Sequence, residues 1–481
     1  MSLRIAILGA GPGGYVAAIR AAQLGAEVTL VEREAIGGTC LNWGCIPTKT
    51  LKTSADLLDS LRRAESLGVN LPGPARPDLA RMMARKKEVV ETLAAAILKI
   101  LRSHKVRFLR GEGRVLAPDR VRVAGAGQGD TDVACDRLIL APGSRPLSFP
   151  AFPLDGERIL SSDHALQLQE IPASVLILGG GVVGCEFAAI LSGLGTRVTL
   201  VEAMDRLIPL PGVDRESVAV LQREMKKRKV QVHLRCTVER AQVGPQGVRA
   251  TVGPSPLVQG AGEGGPTPLV LEAERMLVTV GRCSNATGIG LEELGVGMDD
   301  KGWIAADARM ETNVAGVYAI GDALGPGRVM LAHAASAEGI VAAENALGAD
   351  RTMDYDAIPS GIFTSPEVAD VGLTEEQARE RGLDAGAELF LLRGLGKAQA
   401  LGDIAGHAKI IWERASGRLL GVHLIGPHAT DLIAEATLAL HMGAAVKDVA
   451  HAIHAHPTLS EALQEAAHKA LGAGIHCLKG E

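Results

Sequence analysis

Cys40 and Cys45 are the one close pair of cysteines in the chain, in the run Ile36-Gly-Gly-Thr-Cys40-Leu-Asn-Trp-Gly-Cys45-Ile-Pro-Thr-Lys49. Neighbouring thiols can trade electrons as a disulfide or supply half of a metal site. Helical residues five apart point about 140° from each other, so bridging them needs a distorted first turn. Gly44 lies between them and allows that distortion. A helix N-terminus there would also favour the thiolate. A metal would need further ligands, and neither His nor another Cys surrounds this segment. A redox-active disulfide is the expectation, with two inert thiols in a loop as the plain alternative and no metal assigned. The other five cysteines (Cys135, Cys185, Cys236, Cys283 and Cys477) are scattered singly and read as small buried hydrophobes. An odd total argues against a disulfide framework.

A second constellation occurs twice. Arg4-Ile-Ala-Ile-Leu-Gly-Ala-Gly lies over Ser174-Val-Leu-Ile-Leu-Gly-Gly-Gly, and Gly9, Gly11 and Gly14 fall on Gly179, Gly181 and Gly184. Val28-Thr-Leu-Val-Glu32 falls on Val198-Thr-Leu-Val-Glu202, with 18 residues from third glycine to acid in each copy. Each motif follows an apolar strand and opens an alanine-rich helix, which is the full dinucleotide-binding context rather than a lone glycine pattern. The first glycine makes the turn, the second lets backbone approach a pyrophosphate, and the third lets helix pack on strand. The helix N-terminus offers free N–H groups to the phosphates. Glu32 and Glu202 are placed to accept ribose hydroxyls and to repel a 2′-phosphate, so both sites should prefer an unphosphorylated ribose. Two ordinary βαβ units would be the bland reading, but it does not account for a match at every spaced position. Nicotinamide passes hydride, a disulfide takes electrons through a thiolate, and a flavin joins the two. FAD is therefore assigned to the first copy and NAD to the second.

The elements that position these groups belong to an ordinary globular chain. Its 481 residues suggest about three domains. Hydrophobic residues are 47% and charged residues 22%, which excludes wholesale disorder. The apolar runs are too short and too often interrupted to span a membrane. A net charge of -5 offers no footprint for nucleic acid. The opening MSLRIAILGAG enters a strand pattern with no export signal, so a cytoplasmic location is expected.

The segment GGTCLNWGCIPTK closely resembles the active-site segment of the dihydrolipoamide dehydrogenases, within the pyridine nucleotide–disulfide oxidoreductase family. The resemblance runs nearly end to end. It continues through Ala141-Pro-Gly143-Ser-Arg-Pro, Val280-Gly281-Arg, and Thr312-Asn-Val-Ala-Gly-Val-Tyr-Ala-Ile-Gly-Asp322, and ends in His454-Ala-His456-Pro-Thr-Leu-Ser-Glu461. It implies that Cys40 exchanges with substrate and that Cys45 contacts the flavin as a thiolate. It places Lys49 beside the flavin with Glu186 as its acidic partner, and Asp322 on the ribityl chain. Gly143 and Gly281 fall in its cofactor-contact segments. His456 matches the catalytic base and Glu461 the carboxylate that orients it. The chemistry needs such a base, because a dithiol attacks as thiolate and its proton must be taken up near neutral pH. Thr458-Leu-Ser-Glu461 also reads as a capping box, in which Glu461 would merely cap a helix. Pro142, Trp43 and Cys283-Ser284 depart from the commoner family residues.

The expected fold is α/β, with two Rossmann-like dinucleotide-binding domains and a C-terminal α+β dimerisation domain. The FAD domain is expected at 1–146 and 273–347, the NAD domain at 147–272 and the interface domain at 348–481. Helices are expected over Ala434–His441 and Glu461–Leu471, and Gly/Pro-rich residues 253–270 as an extended hairpin loop. The resemblance implies a homodimer in which the histidine reaches the partner chain's cysteines. It also implies oxidation of dihydrolipoamide with reduction of NAD, carried on lipoyl domains of 2-oxo acid dehydrogenase complexes or on the glycine-cleavage carrier. Other low-molecular-weight disulfide reductases of the family, and a non-catalytic flavoprotein scaffold, are the alternatives.

Overall fold

The computed structural model describes residues 2–125, 129–258 and 268–478. Its first half repeats one design. The apolar run Arg4–Leu8 lies at the centre of a five-stranded parallel sheet, flanked by Glu27–Glu32 and Arg107–Arg110 on one side and by Arg137–Leu140 and Val317–Ala319 on the other. Ile5, Ala6, Ile7 and Leu8 are buried, as a strand covered on both faces must be. Helix Pro12–Gln23 makes the crossover between the first two strands, and helix Ala332–Ala346 packs against it.

The second copy is built the same way. Ser174–Leu178 is central, with Arg197–Val201 and Gln231–His233 on one side and Arg275–Val278 and Ile159–Leu160 on the other, all parallel. Each unit also carries a separate three-stranded antiparallel meander, just before the strand that flanks its central one: Glu112–Ala117, Arg120–Ala124 and Thr131–Ala134 in the first, Cys236–Gly244, Gly247–Pro254 and Leu269–Ala273 in the second. The pairing of Gly247–Pro254 with Leu269–Ala273 makes the segment around 253–270 a hairpin whose ends are ladder; its residues 259–267 lie outside the described residues.

One expected boundary moves. Arg275–Val278 hydrogen-bonds along Ser174–Leu178, so the second sheet runs past residue 272. The strand is apolar and fully covered, and it is needed to bury the face of its neighbour. The chain returns to the first unit afterwards, where Arg282–Ser284 pairs antiparallel with Ser144–Pro146.

The C-terminal unit is an antiparallel sheet in the order Ser360–Ile362, Glu367–Gly372, Leu419–Gly426, His407–Glu413, Ala385–Leu391. Helix Ala429–His441 packs on the first strands and helix Glu461–Ala470 on the last two. The first of these helices starts before the expected Ala434, because the periodic apolar positions Ala429, Ile433 and Ala436 all face the core. Among the described residues, no helix is long and apolar enough to cross a membrane, and no group of three or more His, Cys, Asp or Glu is arranged to hold a metal ion.

Candidate active site

The cysteine segment folds as two helices rather than one. Helix Gly38–Trp43 ends at Gly44, and helix Cys45–Arg62 starts on the next residue. Gly44 sits at φ -139, ψ -114, far from helical, and a Cβ there would come 3.0 Å from the Thr39 carbonyl oxygen. The break is the distortion that residues five apart require. It brings Cys40 and Cys45 into hydrogen-bonding contact, both as thiols. Cys45 is the first residue of its helix, where the helix dipole favours an anion. The hydrogen bond from Cys40, helped by the charge of Lys49 and opposed by burial, brings the Cys45 thiol down to about 7. That same bond, with burial, pushes the Cys40 thiol up. The pair is therefore polarised, with Cys45 the more acidic thiol and Cys40 the less acidic.

Lys49 stands one turn further along. Its ammonium donates to both oxygens of Glu186, each at 2.8 Å. Glu186 lies in helix Val182–Leu194 of the second unit and is only 4% exposed, so a buried carboxylate from one unit meets the lysine of another. Glu186 also accepts the N–H of Phe363, at 3.0 Å, from the C-terminal unit. All three units thus meet at Lys49.

The two glycine turns have the geometry a pyrophosphate needs. Helices Pro12–Gln23 and Val182–Leu194 begin at Gly11 and Gly181, with no side-chain cap and no acid in the first turn. A Cβ at Gly11 or Gly181 would meet nothing within 4 Å, whereas one at Gly14 or Gly184 would come 1.9 Å from the carbonyl oxygen of Gly9 or Gly179. The second glycine of each motif therefore faces open space and the third is held against protein. A dinucleotide pyrophosphate fits both cradles: uncapped N–H groups and an unobstructed approach. The acids are more engaged than expected. Glu32 accepts the N–H groups of Ala10 and Glu34, each at 2.8 Å, and Glu202 accepts those of Gly180 at 2.6 Å and Met204 at 2.8 Å. Each carboxylate pins its own glycine turn and keeps spare lone pairs for a ribose.

Gly143, Gly281 and Asp322 come together where the chain passes between units. Ser144 Oγ donates to Asp322 at 2.5 Å, and Arg282 donates to Ser144 Oγ at 2.6 Å and to its carbonyl at 2.8 Å. Gly143 and Gly281 both take left-handed backbone with open space beside them. Gly321, next to Asp322, donates its N–H to Glu338 at 2.6 Å, and the fully buried Glu338 also accepts the Tyr355 hydroxyl at 2.7 Å.

His456 Nδ1 lies 2.9 Å from Glu461 Oε1, and Glu461 Oε2 accepts the Thr458 N–H at 2.8 Å. Helix Glu461–Ala470 begins at Glu461 with Ser460 as its N-cap, so Thr458 is not the cap of a capping box. Burial works to raise the Glu461 carboxyl, but the Thr458 N–H and His456 outweigh it and hold it below the usual carboxylate range. The His456 side chain is 77% exposed. It lies in the loop before helix Glu461–Ala470, which packs on the C-terminal sheet, whereas the cysteine helices pack on each other and on Leu79–Ser103 and Val182–Leu194. Among the described residues, no hydrogen bond or ion pair joins the two groups within one chain.

Sequence reasoning did not single out Phe363, Glu338, Tyr355, Ser144 or Arg282. Ser144 and Arg282 lie inside the quoted motifs, so their neighbours were signals. Glu338 and Phe363 have polar or aromatic roles that only tertiary proximity reveals.

Residues 3–339 match the family model described as pyridine nucleotide-disulphide oxidoreductase, and residues 358–467 match the dimerisation domain of that family. A dihydrolipoyl dehydrogenase of Thermus scotoductus is 41% identical over 475 residues, covering 98% of each chain. One from Halobacterium salinarum is 38% identical over 476 residues, covering 98% of this chain and 97% of that one. The crystal structure of LpdA from Mycobacterium tuberculosis superposes with a TM-score of 0.88 at 28% identity, covering 97% of this chain and 99% of that one. The HOCl-induced flavoprotein disulfide reductase RclA from Escherichia coli does so with 0.81 at 25% identity, covering 96% and 99%. The chain belongs to the pyridine nucleotide-disulphide oxidoreductase family.

Proposed function

We infer that the chain is a flavin- and NAD-dependent disulfide oxidoreductase of the dihydrolipoyl dehydrogenase type, oxidising protein-bound dihydrolipoamide as a homodimer. The observation that carries this is the polarised Cys40–Cys45 pair at the start of a helix, with Lys49 and Glu186 beside it. FAD at the Gly9–Gly14 turn and Asp322 supplies a two-electron acceptor, and NAD at the Gly179–Gly184 turn supplies the hydride acceptor. Gly143 and Gly281 leave room at the first and second cofactor, and Glu32 and Glu202 hold the turns and take the riboses. The FAD unit comprises 1–146 and the return after 278 to 347, the NAD unit lies between, and 348–481 form the interface unit.

In the oxidised enzyme, Cys40 and Cys45 share a disulfide. One substrate thiol gives its proton to His456 and attacks Cys40 as thiolate. The Cys40–Cys45 bond breaks and Cys45 leaves as thiolate. The second substrate thiol attacks the sulfur bound to Cys40, closing the lipoamide ring, and its proton passes to Cys40, which leaves as thiol. The substrate has lost two electrons and two protons, and Cys45 is the thiolate from which the electron pair leaves the protein. Glu461 holds the His456 ring in the tautomer and orientation that accept a proton. Lipoyl domains of 2-oxo acid dehydrogenase complexes, or the glycine-cleavage carrier, deliver the substrate.

The purified yellow protein should bleach with NADH and recover its colour with lipoamide. On two-electron reduction it should gain a long-wavelength thiolate–flavin absorption that grows with pH about a midpoint near 7. Cys45→Ser should abolish that absorption. Recovery with glutathione-like disulfides but not with lipoamide would overturn the substrate, and survival of the band in Cys45→Ser would overturn the thiolate assignment.

A further inference from the structure

Lys49 and Lys52 are three apart on one helix and share a face. Both reach the same short segment of the C-terminal unit. Lys52 is 6% exposed, and its ammonium donates to Asp56 at 2.5 and 2.7 Å and to Ser365 Oγ at 2.8 Å. Ser365 Oγ in turn donates to the same carboxylate at 3.1 Å. The segment is thereby fastened to the cysteine helix one turn beyond Lys49. Just before it, the Phe363 ring lies under the Lys49 ammonium, 4.5 Å from ring centroid to Nζ. The Phe363 N–H also donates to Glu186, the carboxylate that holds Lys49.

A lysine on a flexible four-carbon stem does not keep one position by itself. Here its ammonium is held by the Glu186 carboxylate and by an aromatic face. The Cys45 thiol feels both charges of the ion pair, the ammonium favouring its thiolate and the carboxylate opposing it. The balance depends on where the ammonium stands relative to Glu186. A ring that attracts the cation fixes that place.

We propose that Phe363, contributed by the C-terminal unit, is a positioning residue for Lys49 and through it governs how readily Cys45 becomes a thiolate. This rests on reading Cys45 as the thiolate that meets the flavin. It makes the C-terminal unit a part of the redox centre within its own chain, in addition to any contribution across a dimer.

The test compares the wild-type holoenzyme with Phe363→Leu, which keeps the backbone N–H to Glu186 but removes the ring, and with Phe363→Tyr, which keeps the ring. Each is reduced by two electrons, and its long-wavelength thiolate–flavin absorption is followed against pH. Phe363→Leu should titrate at higher pH, as an acid weaker by about threefold, the scale of one partly exposed cation–π contact. Phe363→Tyr should return to the wild-type midpoint. Should Phe363→Leu not accumulate as holoenzyme, Phe363→Met carries the same expectation. A ringless variant that keeps the band and titrates at the wild-type midpoint overturns the inference alone, as does Phe363→Tyr behaving like Phe363→Leu. A wild-type enzyme with no such band overturns the reading of Cys45 and the inference with it.

Discussion

The Glu461 side chain does two jobs with two oxygens. One accepts the Thr458 N–H and ties down the loop before its helix; the other faces His456 Nδ1. Because its carboxyl is held below the ordinary range, it stays ionised until the pH falls below that range, and the pairing with His456 persists throughout neutral conditions. His456→Gln should lower kcat for dihydrolipoamide by about 10²–10⁴-fold, the usual contribution of a general base. Glu461→Gln keeps an acceptor for Thr458 but loses the charge beside the ring, and should cost roughly tenfold in kcat, about 1.4 kcal/mol of transition-state stabilisation. Neither change should alter the spectrum of the reduced flavin–thiolate pair, since among the described residues neither side chain bonds to Cys45, Lys49 or Glu186 within its chain. Steady-state kinetics beside that spectrum checks the separation: a band lost in Glu461→Gln would place the carboxylate elsewhere in the chemistry. At this scale the sequence was informative where a motif is local. Cys40, Cys45, His456 and Glu461 are legible because their partners lie within five residues. The grip of Phe363 on Lys49 and of Glu338 on Gly321 was not, since those partners are brought in from other units and no periodicity marks them.

At the scale of elements, the duplicated turn separates two kinds of glycine. Gly181 and Gly184 are three residues apart in one motif, yet one faces open space and the other lies against the Gly179 carbonyl and the Thr279 side chain. Gly184→Ala should destabilise the second unit by about 1–3 kcal/mol, because an added methyl overpacks a close helix–strand contact. Gly181→Ala should leave the thermal midpoint nearly unchanged while weakening NADH binding, since its methyl would occupy the approach of the pyrophosphate. Calorimetry of unfolding and NADH titration on both variants would show the split, and equal loss of stability in both would refute it. The repeat is longer than the glycine motif alone. Arg137-Leu-Ile-Leu-Ala-Pro-Gly143 and Arg275-Met-Leu-Val-Thr-Val-Gly281 occupy equivalent strands, and the first glycine of each turn abuts the equivalent carbonyl, Ala141 in one unit and Thr279 in the other. Those strands share only Arg, an apolar run and Gly, which is why the sequence placed the boundary before the second of them. Strand identity was legible from apolar runs; membership of a sheet was not, because it is decided by which neighbour needs covering.

The whole molecule sets His456 apart from the cysteines. Charged groups tie the C-terminal sheet to the second unit: Lys409, 6% exposed on its side chain, pairs at 3.0 Å with the buried Asp214 and with the exposed Glu216, and the Asp214 N–H donates to Asp370 at 3.4 Å. Removing Lys409 or Asp214 leaves the other charged and buried, so the two units are held as one body. His456 is thus presented exposed on the C-terminal unit, which also carries large exposed apolar side chains. Ile453 is 97% exposed, Met442 74% and Leu438 60%. All three lie within residues that match the family's dimerisation domain, where a second copy packs. If each site takes its cysteines from one chain and its histidine from the other, two inactive variants must complement. Cys45→Ser and His456→Ala homodimers each lack one half of every site. When the two chains are co-expressed, random pairing makes half of the dimers mixed, and each mixed dimer has one site with both defects and one with neither. Lipoamide turnover should therefore recover to about a quarter of wild type, as follows from twofold symmetry with one intact site in each mixed dimer. Sites completed within a single chain would give no recovery at all, so turnover of the co-expressed pair, with each homodimer assayed alone as its baseline, decides between one-chain and two-chain active sites.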